Sequence, residues 1–343
     1  MIKKVFFGIL SFLSILVVLV CLYSVYLKQI KYKNKSIVAI KGGLGNQLYQ
    51  YAFGYTLHKN TGKEILFDLS YFDREQMKKK PRKWVRDYVS KFDVPYRNFI
   101  HQNLLENFLS RYALDEYIKG VVFIFDEKLL TKTADFVSSS YYQNPLYFKQ
   151  YEKDIQKMFT TLADEYKSQL DEKNQNLIKE MQSHKNSVVI NIRLGDFLTF
   201  KGFNVCGWEY YKRAMEIFDK MEDVHYYIFS DDIEGVKAHF KTDKPHTFVD
   251  INPLLDAHLN LILSSSAKHN IVSNSTFAIW AGMLNKNPDK IVVRPGEYMI
   301  GVKDNEQIYP KEWIRIDTSK DEKIDIKDIK TEYSKEIQNI YKK

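Results

Sequence analysis

Between residues 187 and 294 the chain alternates short apolar runs with amphipathic stretches, and few folds accept that pattern. The runs are 187–192 (SVVINI), 225–230 (HYYIFS), 247–251, 269–273 and 290–294. Their length and their β-branched and aromatic residues suit buried parallel strands. Between them, 208–220, 233–240, 252–266 and 275–284 read as helices, with Asn252 and Pro253 in the cap-then-proline order that opens one. Repeated β–α units of this size require an open parallel sheet with helices on both faces. The N-terminal half opens the same way: strand 36–41 (SIVAIK), helix 46–60 stopped by Gly62, strand 64–69 (EILFDL). Residues 71–160 carry weaker periodicity and complete that half, and the polar stretch 164–185 reads as a link. The expectation is an α/β protein of two Rossmann-type parallel-sheet domains, 36–163 and 185–300, facing a cleft. A charged tail, 301–343, follows; it either crosses back to the first domain or stays solvated.

A length of 343 residues suits two such domains at ~150 residues each. Lys plus Arg is 51 and Asp plus Glu 43, a net charge of +8. That excess is spread along the chain and forms no dense basic block interleaved with aromatics, which argues against a nucleic-acid partner. Cys21 and Cys206 are the two cysteines, too few for a disulfide scaffold or a thiolate zinc site.

Ahead of the domains, residues 5–27 (VFFGILSFLSILVVLVCLYSVYL) carry no charge. At ~1.5 Å per residue such a run crosses a ~30 Å hydrocarbon core. It exceeds the ~7–15 residues of a secretory h-region, and no A-x-A-like cleavage site follows, so it reads as a single-pass anchor rather than a removed signal. Lys3 and Lys4 precede it; Lys28, Lys31, Lys33 and Lys35 follow. The larger cluster places the body in the cytoplasm by the positive-inside rule, as in a bacterial chain. A body in the Golgi lumen of a eukaryote would need the two N-terminal lysines to dominate.

Three loops fall at strand ends, where parallel sheets bind ligands. The first, 41–47 (KGGLGNQ), joins the first strand to the first helix. Gly43, Gly45, Asn46 and Gln47 there combine close backbone approach with a helix start that suits phosphate. Its spacing is not that of a dinucleotide fingerprint, and a plain tight turn capped by Asn46 is the alternative. The second loop, 191–196 (NIRLGD), offers Asn191, Arg193 and Asp196. The guanidinium fork matches two phosphate oxygens, and Asp196 could orient it or contact a sugar; a surface ion pair is the alternative. The third, 273–276 (SNST), offers Asn274, Ser275 and Thr276 at another helix start, where simple capping explains one residue. Asp231 and Asp232 end the 225–230 strand; one could accept from a ribose or guanine edge, the other cap the following helix.

Taken together, 42–54 (GGLGNQLYQYAFG), 191–197 (NIRLGDF), 226–232 (YYIFSDD) and 256–285 (DAHLNLILSSSAKHNIVSNSTFAIWAGMLN) resemble glycosyltransferase family 11, the α-1,2-fucosyltransferases. The resemblance spans about 37–300. It implies a GT-B fold, GDP-fucose as donor, inversion at the anomeric carbon, no metal or other cofactor, and a galactoside-containing glycan as acceptor. Arg193 matches the arginine that grips the donor's β-phosphate. The family's second motif usually reads H-x-R-R-G-D-Y, so Asn191 stands for the histidine and Leu194 for the second arginine. On that resemblance Arg193 and Asp196 are the catalytic candidates, and Gly43, Gly45, Asn46, Gln47, Asn191, Asp231, Asp232, Asn274, Ser275 and Thr276 the donor-binding ones. Three other readings stand beside it. The altered second motif fits a related transferase using another nucleotide sugar, or an inactive sugar-binding homologue. The glycine loop alone, with Asp68 about 20 residues on, fits a nucleotide-binding oxidoreductase.

Overall fold

The computed structural model describes residues 2–74, 85–119, 123–251, 256–303 and 305–341. The chain opens with helix α1 (Ile2–Tyr26), whose apolar side chains are exposed through most of its length, followed by a π-helical turn, Leu27–Lys31. The first domain then runs β1 (Lys35–Ala39), α2 (Leu44–Thr61), β2 (Glu64–Asp68), β3 (Phe99–Ile100), α3 (Leu104–Ala113), β4 (Glu116–Ile118), β5 (Phe136–Ser138) and α4 (Glu152–Phe159). Gly62 ends α2 in the left-handed conformation, its N–H donating to the His58 carbonyl at 2.8 Å. The strands form a parallel sheet ordered β3-β2-β1-β5-β4.

The second domain contains α5 (Glu172–Ser183), β6 (Asn186–Ile192), α6 (Trp208–Glu216), β7 (Val224–Ser230), α7 (Ile233–His239), β8 (His246–Phe248), α8 (Ala257–Ser264), β9 (His269–Ile271), α9 (Thr276–Leu284), β10 (Val292–Pro295), β11 (Ile314–Ile316) and α10 (Glu332–Tyr341). Its sheet is also parallel, ordered β11-β10-β9-β6-β7-β8. Two parallel sheets covered by helices are the GT-B-like architecture expected. The helix start expected at Asn252 and Pro253 lies outside the described residues.

Two stretches differ from the sequence reading. Residues 164–185 are not a bare link: Asp171 caps α5 by accepting from the Asn174 N–H at 2.9 Å, and Met181 enters the core beside Val189, Tyr227 and Leu263. The apolar stripe of α5 is only Leu177, Ile178 and Met181, too thin to outweigh its polar neighbours in a periodicity count. The tail does not float: Ile308, Tyr309 and Trp313 join the core cluster that also holds Tyr49 and Phe148 of the first domain, and the rest lies on the second. β11 extends the second sheet, Arg213 pairs with Asp321 at 2.6 Å, Ile329 and Ile337 are buried, and α10 lies on the second domain.

One hydrophobic core cluster spans both domains. Helices α2 and α9 pack together across the junction, and Trp280 on α9 sits against Tyr49, Phe148 and Phe159 at 4.9, 5.1 and 5.4 Å between ring centroids. Its indole N–H donates to the Gly45 carbonyl at 2.9 Å. Helix α8 carries a fully buried imidazole, His258, whose Nε2 bonds to Gln169 Oε1 at 2.6 Å. Burial and then Lys91 push its pKa down to about 3. An unfolded histidine protonates near 6.5, so below that pH the unfolded chain takes a proton the folded chain refuses, and stability falls as pH drops. Urea melts at about pH 7 and about pH 5 are expected to show a steeper loss for the parent than for His258→Gln; parallel losses would remove His258 from this account.

Candidate active site

A sheet can bind a ligand at the point where its strand order reverses, because the connections there leave in opposite directions and open a crevice. In the second sheet that point lies between β6 and β9, and the loops leaving them carry Arg193 and the 273–276 turn. In the first sheet it lies between β1 and β5, and the loop leaving β1 carries Gly43–Asn46. All three loops line one cleft of about 350 Å³ between the domains.

The meeting of α2 and α9 makes this possible. Gly45, in the first turn of α2, lies so close to Thr276 at the start of α9 that an added Cβ would be 2.6 Å from the Thr276 carbonyl carbon and 2.7 Å from the Phe277 nitrogen. Two helix starts thus open side by side on the cleft. Each carries the partial positive charge of its dipole, so the pair favours an anion between them. Ser275 is the N-terminal flanking residue of α9, and its hydroxyl makes no capping bond there.

Arg193 follows β6 and enters the cleft with its side chain about a quarter exposed. Its Nη2 donates to Asp196 Oδ1 at 2.6 Å, its Nη1 lies 3.4 Å from Asp231 Oδ2, and the guanidinium stacks over the Phe197 ring at 5.2 Å. Burial works against the charged form, but Asp231 and Asp196 outweigh it and hold the group above its ordinary pKa. Asp231 is itself pushed up, by burial first, against the opposing pull of Arg193. The Leu194 N–H donates to Asp231 Oδ1 at 2.9 Å, while the Leu194 side chain is buried in the second domain's core. Gly195 allows this fold-back: its φ is +23°, and a Cβ there would collide with Asp231 Oδ2 and stand 2.9 Å from the Tyr333 hydroxyl of α10.

Three expected contacts sit elsewhere. Gln47 is buried and spent on the scaffold: its Nε2 donates to the Gly42 and Arg86 carbonyls, and its Oε1 accepts from the Tyr88 and Val89 N–H groups. Asp232 caps α7 by accepting from the Gly235 N–H at 3.1 Å, and takes a second bond from Thr331 at 2.5 Å. Asn274 donates to the Phe203 and Tyr298 carbonyls, both at 2.9 Å, and fixes the loop from behind. Short polar side chains at strand ends serve caps and ligands alike, so sequence does not separate the two.

Gly43, Gly45, Asn46, Asn191, Arg193, Asp196, Asp231, Ser275 and Thr276 do border the cleft. Asn46 is held by Gln143 Nε2, which donates to its Oδ1 at 2.6 Å. The structure adds Ser273, Asn260 and an aromatic wall that includes Phe197, Phe203 and Tyr298. Asn191 Oδ1, Ser273 Oγ and Arg193 Nε are buried without a hydrogen-bond partner among the described residues. Buried polar groups are normally paired, so three such groups around one cleft fit a polar ligand. Asp68, the ribose-binding candidate of an oxidoreductase, accepts from Ser70, Gln102 and Asn107 instead and is buried away from the cleft. Among the described residues no three His, Cys, Asp or Glu side chains gather to hold a metal ion.

The family model of glycosyl transferase family 11 matches residues 127–317. The O-antigen biosynthesis glycosyltransferase WbnK of Escherichia coli is 26% identical over 76% of this chain and 94% of its own length. An α-1,2-colitosyltransferase of Escherichia coli is 23% identical over 82% of this chain and 98% of its own. Among solved structures, the fucosyltransferase NodZ from Bradyrhizobium aligns with a TM-score of 0.45 at 11% identity, covering 76% of this chain and 94% of that one.

Proposed function

Because the chain belongs to glycosyltransferase family 11, we propose that it transfers L-fucose from GDP-fucose to a galactoside-containing glycan, forming an α-1,2 linkage with inversion and without a divalent ion. The observation that carries this reading is the convergence of Arg193 with the starts of α2 and α9 on one cleft between two parallel sheets. Breaking the bond between the fucose anomeric carbon and the β-phosphate oxygen leaves negative charge on the diphosphate. A fixed guanidinium and two helix starts supply preorganised donors for that charge, the usual source of the largest rate term. The acceptor hydroxyl oxygen bonds to the anomeric carbon from the opposite face and loses its proton.

Asp196, tied to Arg193 at 2.6 Å, fits a positioning residue better than a base, because that hydrogen bond already occupies its Oδ1. Gly43, Gly45, Asn46, Asn191, Ser273, Ser275 and Thr276 border the donor's place; Asp231 holds Arg193 from the buried side. Leu194 turns into the core, so the second arginine of the family pattern has no counterpart at that point of this cleft. Donor choice is therefore the reading's most exposed part, and a relative named as a colitosyltransferase makes that sugar the competing donor.

The test incubates the full chain, solubilised in detergent, with the GDP esters of fucose and colitose and a panel of galactosides, with and without EDTA. Release of GDP from GDP-fucose, undiminished by EDTA, with an α-1,2 product by NMR, is the expected result. Turnover of a different nucleotide sugar alone would reassign the donor, and loss of turnover in EDTA would reinstate a metal. GDP binding without product from any donor would mark an inactive homologue.

A further inference from the structure

We propose that α3 is a second membrane contact, its outward face seated among the lipid headgroups and upper acyl chains beside the last turns of α1; this rests on reading α1 as a membrane span. Helix α3 is amphipathic in an unusual sense, with apolar side chains on both faces. Leu109 packs inward with Ser110 and Glu106, and Asn103 caps the helix by accepting from the Glu106 N–H at 2.9 Å. On the outward side Leu104, Leu105, Phe108 and Tyr112 are 82, 53, 55 and 75% exposed. At 3.6 residues per turn these four fall within an arc of about 100°, one continuous ridge. Phe108 and Tyr112 extend it with rings 5.1 Å apart. Water-facing surfaces rarely keep such a ridge, and contiguous exposed apolar groups mark a contact site.

Its position selects lipid as the occupant. Val20, Tyr23 and Leu27 of the N-terminal helical segment join Leu109, Ala113 and Leu114 in one small apolar cluster, so α3 lies along the closing turns of α1. On the other sides of those same turns Leu22, Val25 and Tyr26 remain exposed. The medium that surrounds Leu22 and Val25 therefore also meets the ridge of α3. The candidate span runs from Phe6 to Lys31, deep enough into the sequence to bring this level to the bilayer edge. Lys31 pairs with Glu106, and Lys28 with Asp115 at 2.8 Å, which fixes the span against α3 and the turn that follows it rather than leaving it on a free stalk.

Charge agrees. Arg74, Arg111 and Lys119 lie near enough to Lys41 to disfavour its charged form, burial being the larger cause. Arg111 lies on α3 itself, and Lys119 follows β4. Leucine and aromatic side chains with flanking cations are the composition of helices that lie in the interface of anionic membranes.

The chain provides its own reference probe. Cys21 on α1 is exposed, whereas Cys206 is buried and its thiol is pushed up to about 12, so a thiol-reactive fluorophore labels Cys21 alone. Full-length protein is reconstituted in vesicles of phosphatidylcholine and phosphatidylglycerol carrying nitroxide lipid. Labels are compared at native Cys21, at Phe108→Cys in a Cys21→Ser background, and at Lys241→Cys in the same background, exposed on the second domain. The expected result is that labels at 21 and 108 are quenched by the lipid nitroxide and shielded from an aqueous quencher, while 241 shows the reverse. If 108 behaves like 241 while 21 is quenched by lipid, the proposal for α3 falls and the span stands. If 21 also escapes the lipid quencher, the span reading falls and this proposal with it. A label at 108 shielded from both quenchers would mean that protein, a second copy or a partner, covers the ridge, and would overturn the proposal.

Discussion

Arg193→Ala is expected to lower turnover by ~10²–10³-fold at saturating donor while the fold survives. The guanidinium is held on both sides, at 2.6 Å by Asp196 and 3.4 Å by Asp231, so under the proposed function it needs no reorganisation as charge develops on a leaving diphosphate. Interactions that strengthen only in the transition state appear in kcat rather than KM, and the loss should fall there. Two carboxylates remain behind in the variant. Asp231 is already pushed up by burial, and without its cation it takes a proton instead of standing as an unpaired charge. Arg193→Lys keeps the charge but loses the planar fork that reaches both Asp196 and Asp231, and should fall between parent and alanine. Steady-state GDP release, with thermal melting as the check on folding, decides the matter. An alanine variant that turns over like the parent would remove Arg193 from the mechanism.

Gly45→Ala is expected to damage both stability and donor binding, although it adds one methyl group. That methyl would stand 2.6 Å from the backbone of Thr276 and 2.7 Å from the Phe277 nitrogen, where no flexible side chain can yield. Helices α2 and α9 must move apart, at a cost of ~1–3 kcal/mol for overpacking. The same movement separates the two helix starts and strains the Trp280 bond to the Gly45 carbonyl. A lower melting temperature with a higher KM for the donor is the result to look for. Gly43→Ala serves as the stability control, because a Cβ there meets nothing within 4 Å and the backbone φ of −69° suits any residue. If both alanine variants melt with the parent, the close approach of the two helices does not constrain the fold.

Which parts of this were legible beforehand follows from how local each signal is. The strands from Asn186–Ile192 to Val292–Pro295 announced themselves because buried parallel strands are continuous apolar runs. Arg193 was legible as a cleft residue because a cation leaving such a strand has no core to enter. By contrast, Gln47, Asp232 and Asn274 looked like Asn46, Asp231 and Ser275, their neighbours in the same loops. Only the side-chain partners separate them: Gln47 bonds to a segment some 40 residues away, and Asn274 to Phe203 and Tyr298. Ser273 stood inside a recognised loop, but its unpartnered hydroxyl exists only once the cleft does. Helix α5 and the C-terminal helix α10 carried stripes too thin to stand out, and both are held by partners distant in sequence.

Local chemistry along the chain thus set the elements, the long apolar N-terminal helix and the three cleft-lining loops, because apolar period, glycine and proline placement act over a few residues. Tertiary structure decided which loops meet. The packing of α2 on α9 sets two helix starts side by side, and the fold-back at Gly195 places Asp231 behind Arg193. It also left α3 with an apolar ridge next to α1, a property of neither helix alone. The physical reason is the same in each case: burial and the pairing of charges depend on groups far apart in the chain, and their meeting is settled only when the whole core closes.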